Sequence, residues 1–320
     1  MGRPNTREDR GRSPSLWRGP SRWVHWGERG VWAVLLGCAT VTVLTTIGII
    51  GVLGVESTAF FRAGSESLGG FLFGAEIRPD ADPPRFGVLP LVWGTIVVAT
   101  GSSLIALPIG LLSAIYLSEY APRRVRAVLK PTLELLAGIP SIVYGYLAIL
   151  LVTPILKVVF GTFGIPVETF NALSACIVVG IMIIPMVSSL SEDVLSSVPR
   201  ALREAGYGLG ATKFEVSTRI VLPAGLSGVA AAFILALSRA IGETMAVVLA
   251  AGMRPRLTLN PLTSMETMTA YIVAVMGGDA SYGQPKYLSL FAVAAALFLM
   301  TLALNLVSGL VLRRYREVYQ

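Results

Sequence analysis

Charge is scarce in this chain. Of its 320 residues only 14% are Asp, Glu, Lys or Arg, while 54% are hydrophobic. That balance excludes an ordinary soluble domain, because several apolar runs exceed the roughly 20 residues that cross a bilayer. Cysteine is nearly missing as well. Cys38 and Cys176 both fall inside apolar runs, which argues against a disulfide framework and leaves no metal-ligand spacing. The single histidine, His25, sits in the amino-terminal tail near Trp23 and Trp26 and reads as an interfacial residue, not a general base. There is no G-x-x-x-x-G-K-[S/T] phosphate loop and no serine in a nucleophile elbow. The apolar runs also hold no row of acidic or histidine residues suited to a proton relay. The chain is therefore expected to do no covalent chemistry and to hold no metal or cofactor.

What remains is a chain of apolar spans punctuated by basic segments. Residues 1–29 carry seven arginines with Gly, Pro and Ser, a composition that cannot bury a core, and are expected to form a disordered basic cytoplasmic tail. The run Val31–Val55 is too long for a signal peptide and is the first span. Residues 56–87, with five acids, three arginines and several phenylalanines, form the first outside loop with a short interfacial helix. The later spans are expected at about 88–117, 132–156, 169–190, 222–251 and 287–312, and prolines 108, 140, 154 and 185 mark kinks. Arg123, Arg124, Arg126 and Lys130 stand against one acid, Glu119, in the loop after the second span. With the basic excess assigned inside, the spans number six and both termini are cytoplasmic. The expected transmembrane domain covers 30–316, with 56–87 periplasmic and 191–221 cytoplasmic. The fold class is an all-α integral membrane protein with six transmembrane helices.

Two features stand out. The first is the stretch 191–223, where apolar residues recur at helical spacing on both sides of Gly206, Gly208 and Gly210. It reads as helix, glycine break, helix, either a knob for a partner protein or a plain connector. The second is Arg239 and Glu243, the only charges deep in an expected span. Each costs roughly 2.5–3.5 kcal/mol at a helix centre on insertion scales. Four residues apart, they share a face and are placed to pair. Around them on that face lie Gly225, Gly228, Ala232, Ala236, Gly242 and Ala246. So small a face admits either another helix or a passing solute. An arginine at this depth suits an anionic substrate, with Glu243 its resting partner or the acceptor for a protonated oxyanion. Thr244, Ser141 and Tyr144 are further candidates for the path by polarity and position.

The pattern Glu204-Ala205-Gly206-x3-Gly210-x9-Ile220-x-Leu222-Pro223 resembles the EAA signature of bacterial ABC-importer permease subunits, E-A-A-x3-G-x9-I-x-L-P, with Gly206 where alanine is usual. Four further stretches, Phe71–Gly74, Phe86–Thr95, Ala137–Gly145 and Ser238–Ala246, are similar to the phosphate-specific permeases of the PstC type. The likeness covers about residues 56–312.

The resemblance implies a type I importer permease whose EAA loop docks on a separate ATPase. It implies a homologous second permease (PstA type), two copies of a cytoplasmic ATPase (PstB type) that use ATP and Mg, and a periplasmic or lipid-anchored phosphate-binding protein (PstS type). The substrate would be inorganic phosphate and the location the bacterial inner membrane. Alternatives are the same architecture for sulfate or molybdate, an ion-driven carrier, or an added sensory role.

Overall fold

The computed structural model describes the backbone of residues 22–64 and 66–314, and the side chains of residue 28 and of residues 30–64 and 66–310. The expected tail at 1–21 and the last residues of the expected transmembrane domain, 315–316, lie outside the described residues. Helix α1 starts at Arg22 and runs to Arg62, so it takes in Trp23 and Trp26 as well as the first span. Two compact units divide the chain, residues 1–52 and 53–320.

Within the second unit the elements follow from local sequence. Ser67 caps α2 (Leu68–Phe73) by accepting a bond from the Gly70 N–H. A two-stranded antiparallel hairpin, β1 (Ile77–Arg78) and β2 (Arg85–Phe86), pairs Ile77 with Phe86. Phe60, Phe71 and Phe86 meet edge-to-face beneath it and anchor the 56–87 segment. Then come α3 (Leu89–Ile115), α4 (Arg123–Ala137), α5 (Ser141–Leu147), α6 (Thr153–Gly161) and α7 (Ala172–Ser197). They are followed by α8 (Arg200–Gly208), α9 (Lys213–Glu215), α10 (Leu222–Gly242), α11 (Met245–Ala251), α12 (Met268–Gly277) and α13 (Pro285–Arg314).

Six helical stretches among the described residues are long and apolar enough to cross a membrane: 30–62, 89–120, 141–161, 172–197, 213–242 and 285–310. The six expected spans are all present, but two are redrawn. The third begins at Ser141, not near Thr132. Residues 123–137 form the separate helix α4, whose Arg123, Arg126 and Lys130 recur at helical spacing, and Gly138 and Pro140 divide it from α5. The fifth is not one helix to Ala251: α10 ends at Gly242, Glu243 is extended (φ −68°, ψ 130°), and α11 begins at Met245.

The core is the face between α3 and α7, where a Cβ added at Gly110 would meet the Val187 side chain at 2.6 Å. Ala99, Ala106, Val178, Val179 and Ile183 fill this face, joined by Ala236 and Ala240 of α10. Such small residues let helix axes approach where apolar burial offers no advantage over lipid. Glu168 lies in the loop before α7. It accepts from the Ser264 N–H (3.0 Å) and Arg256 Nη1 (2.9 Å), closing one end of the bundle. The backbone bond from Ser264, with the Arg256 and Arg254 charges adding to it, holds the Glu168 carboxyl below its usual range.

Candidate functional site

The expected helix–break–helix is present at 200–215, but its break lies later than the glycines' spacing indicates. Gly206 and Gly208 are inside α8, and only Gly210 turns the chain, at φ +82°. Its N–H bonds the Tyr207 carbonyl (3.0 Å), and the Ala211 N–H bonds the Gly206 carbonyl (3.1 Å). These are the two bonds of a Schellman turn, which needs a left-handed residue there and favours glycine. Thr212 and Glu215 then form a capping box that starts α9. From Lys213 to Gly242 the chain is continuously helical, with a π-helical turn at Val216–Val221.

Gly206, the departure from the EAA pattern, is buried where a Cβ would meet Ile220 Cδ1 at 2.5 Å and Val216 Cγ2 at 3.1 Å. The helix continues through it. Its missing methyl lets α8 lie close against the π turn. Ile220 and Leu222 pack with Leu195, Val198 and Val216, fixing the base of the segment, while Pro223 is exposed in the first turn of α10. Glu204 and Ala205 are exposed on α8. Beside them project Tyr207, Leu209 and Phe214, at 44%, 90% and 68% exposure.

The sequence places Glu119 in the basic loop after the second span, and Glu192 and Arg203 in the 191–221 segment outside the spans. In the fold they are joints. Arg203 spreads its guanidinium over three groups: the Glu119 carboxylate (Nη2 to Oε1, 2.9 Å), the Leu195 carbonyl (2.8 Å) and the Val198 carbonyl. It thereby satisfies the free carbonyls at the end of α7 and ties α8 to the π-helical turn that ends the α3 span. Glu192, fully buried on α7, accepts from Arg126 and from Lys130 Nζ (2.7 Å) of α4 and from Ser196 Oγ (2.7 Å). Arg126 and Lys130 occur at i and i+4 on α4, the one local signal of a shared target. Their partner lies more than sixty residues away.

Arg239 and Glu243 share the end of α10 but do not form the expected ion pair. Glu243 is 9% exposed. It turns onto the next helix, where Oε1 accepts from the Ala246 N–H (3.3 Å), while its main-chain carbonyl accepts from Thr269 Oγ1 (3.0 Å). Arg239 is exposed, with no hydrogen bond or ion pair among the described residues. Much of the small-residue face packs on α7, where a Cβ at Gly228 would meet Val194 at 2.5 Å and one at Gly225 would meet Leu195 at 3.1 Å. Ala232 and Ala236 are buried on the same face. Of the two occupants that face admits, a helix therefore fills these positions, and the charges sit at its far end.

Thr244 Oγ1 bonds the Gly242 carbonyl (3.2 Å). Tyr144 is buried, and its hydroxyl donates to the Leu136 carbonyl (3.0 Å) at the end of α4. Ser141 starts α5 and is half-buried. Helix α5 packs on α11, where Gly145 faces Ala246 and Leu249. The break, Thr244 and α5 are thus neighbours, although the Tyr144 hydroxyl is engaged by the backbone.

A family described as "Binding-protein-dependent transport system inner membrane component" matches residues 106–317. A probable ABC transporter permease protein, YqgH, of Bacillus subtilis is 32% identical over 84% of this chain and 85% of its own length. The phosphate transport system permease protein PstC of Xylella fastidiosa is 37% identical over 76% of this chain and 78% of its own. In fold, the chain resembles one from a bacterial ABC transporter involved in the import of the acidic polysaccharide alginate. That likeness has a TM-score of 0.63 at 15% identity over 91% of this chain and 99% of the other.

Proposed function

The chain belongs to the family of binding-protein-dependent transport system inner-membrane components, and on that premise we propose that it forms half of the translocation path of an ATP-driven importer of inorganic phosphate. It is a multi-pass inner-membrane protein and not itself an enzyme. It works with an ATPase and a substrate-binding protein. In the finer reading these are two PstB-type ATPases and a PstS-type phosphate-binding protein, with a PstA-type permease completing the path. ATP and Mg are used in the ATPase, and this chain holds no cofactor. The α8 end faces the cytoplasm with both termini, and the β1–β2 hairpin lies outside.

The observation that carries the substrate is the exposed Arg239 guanidinium, unpaired among the described residues, one helical turn before buried Glu243 at a helix break, in a chain related to phosphate permeases. Arginine offers a planar fork of donors that fits a tetrahedral oxyanion, always charged. A carboxylate nearby repels a fully ionised dianion. It accepts a hydrogen bond from phosphate, which keeps a proton near neutral pH where sulfate does not, and so selects by rejection as much as attraction. Exposed Glu204, Tyr207, Leu209 and Phe214 form the knob that the ATPase grips. Movement of α8 passes to α3 and α7 through Arg203 and to the break along the continuous 213–242 helix, a rigid-body switch between packed states.

The test is uptake of labelled phosphate into vesicles holding the full complex. Expected is ATP-dependent uptake competed by phosphate and not by sulfate or molybdate. Equal competition by sulfate would reassign the substrate, and uptake by this chain without the ATPase would make it an ion-driven carrier. Arg239→Gln should abolish uptake while the ATPase still co-purifies. Glu243→Gln should narrow the preference for phosphate over sulfate, and unchanged selectivity would remove its role.

A further inference from the structure

Glu266, between α11 and α12, is a largely buried carboxylate, 5% exposed, that no cation neutralises among the described residues. Among the described residues its side chain has no hydrogen bond and no ion pair. The main chain there is pinned: a Cβ at Gly94 of α3 would collide with the Glu266 carbonyl oxygen, and the next residue, Thr267, caps α12 through its hydroxyl. Glu266 lines a cleft of about 240 Å³ between the hairpin, α12 and the start of α13, with Ile77, Asp80, Tyr271, Val275 and Lys286 around it.

Every other ionisable group in that cleft is already engaged. Lys286 Nζ is held by Asp80 Oδ1 at 2.7 Å, and Asp80 itself is 76% exposed. The Tyr271 hydroxyl shares a 2.7 Å bond with Ser289 Oγ, and burial pushes it up to about 12. Burial likewise pushes the Glu266 carboxyl up to about 7. An ionised carboxylate this deep is costly until a cation meets it. The walls supplied by Ile77, Ala274 and Val275 suit a methylene stem whose charged head reaches the base.

We propose that this cleft is a socket for a lysine or arginine side chain of the substrate-binding protein, and that Glu266 receives its charge. The proposal rests on the importer reading and on the hairpin lying outside. The cleft carries one net negative charge when Glu266 is ionised, with Asp80 and Lys286 cancelling. Docking then favours the ionised form, so a proton leaves as the cation enters. Affinity is full above about pH 7 and is lost as pH falls through it, because the free site must first give up its proton.

The experiment measures binding of the phosphate-loaded binding protein of the same transport system to the full permease–ATPase complex in lipid nanodiscs at pH 6, 7 and 8. Expected is a dissociation constant that tightens about tenfold from pH 6 to pH 8, the change one such proton gives. Glu266→Gln should bind weakly and without pH dependence. Glu266→Asp should keep a pH dependence, and Ala274→Trp, which fills the cleft and leaves its charges, should weaken binding at every pH. An unchanged constant and pH profile in Glu266→Gln overturns the socket while wild-type ATP-driven uptake upholds the importer. Absence of that uptake overturns the importer reading and the socket with it.

Discussion

Glu192 and Glu266 are both buried, at 0% and 5% exposure, yet their surroundings are opposite. Glu192 is met by Arg126, Lys130 and Ser196, and near it Glu119 is met by Arg203. Among the described residues, Glu266 at the other end of the bundle meets no cation, and in the broken helix Glu243 meets only a backbone N–H and not the arginine four residues before it. Charge buried with its counter-charge holds elements in register. Charge buried without one keeps an unmet demand, which a ligand or a partner's side chain can satisfy. At the α8 end both buried carboxylates, Glu119 and Glu192, are met by cations, whereas Glu243 and Glu266 are not, although the more exposed Glu168 and Asp80 are paired with Arg256 and Lys286.

The contrast is broken most severely at Glu192. Glu192→Gln should leave Arg126 without its carboxylate and Lys130 with Asp193 alone. It should cost roughly 3 kcal/mol, the low end for a broken buried pair because Arg126 stays part-exposed. Thermal unfolding of the detergent-solubilised complex would read this as a fall in Tm. Glu266→Gln should leave Tm unchanged at low pH and raise it at alkaline pH. The sign follows from the shift: a carboxyl moved from 4.5 to about 7 makes the folded state lose stability as pH rises through that interval, and the amide removes the loss. Equal falls for the two variants would dissolve the distinction.

Next in size is Arg203. Arg203→Lys keeps the charge but cannot reach the Glu119 carboxylate and the Leu195 and Val198 carbonyls together. Expected is an assembled complex that still hydrolyses ATP but consumes several-fold more of it per phosphate imported. A stability loss with an unchanged ratio would make the residue only structural. The smallest effects lie in the turn. At φ +82° a side chain on Gly210 is strained, so Gly210→Val should cost about 1 kcal/mol and weaken ATPase co-purification. Gly206→Ala meets the mobile end of Ile220 and should cost less than Gly210→Val, by the same measurement.

The apolar runs make the spans legible, and the EAA spacing makes α8 to α10 legible. Boundaries were lost where a polar residue sits in a helix. Glu119 and Glu192 fell outside the expected spans because those spans were bounded where the apolar runs end, and an isolated carboxylate in a span is costly. With Arg203 and Lys130 bound to them, that cost is offset. The same logic misled at Arg239 and Glu243: the spacing of a helical pair presumes a continuous helix, and Gly242 is where it ends.

The sequence by itself determined that the chain lives in a membrane, crosses it six times and carries an arginine and a glutamate where lipid-facing residues would be apolar. Length and hydropathy suffice for this, since each span must satisfy its own backbone bonds. Only the tertiary structure decided which buried carboxylates are met by cations and which are not. The partners of Glu119 and Glu192 lie 84 and 66 or fewer residues away. Locally only the i, i+4 spacing of Arg126 and Lys130 points to a shared target, without naming it, and the state of a buried charge is set by what the fold brings beside it.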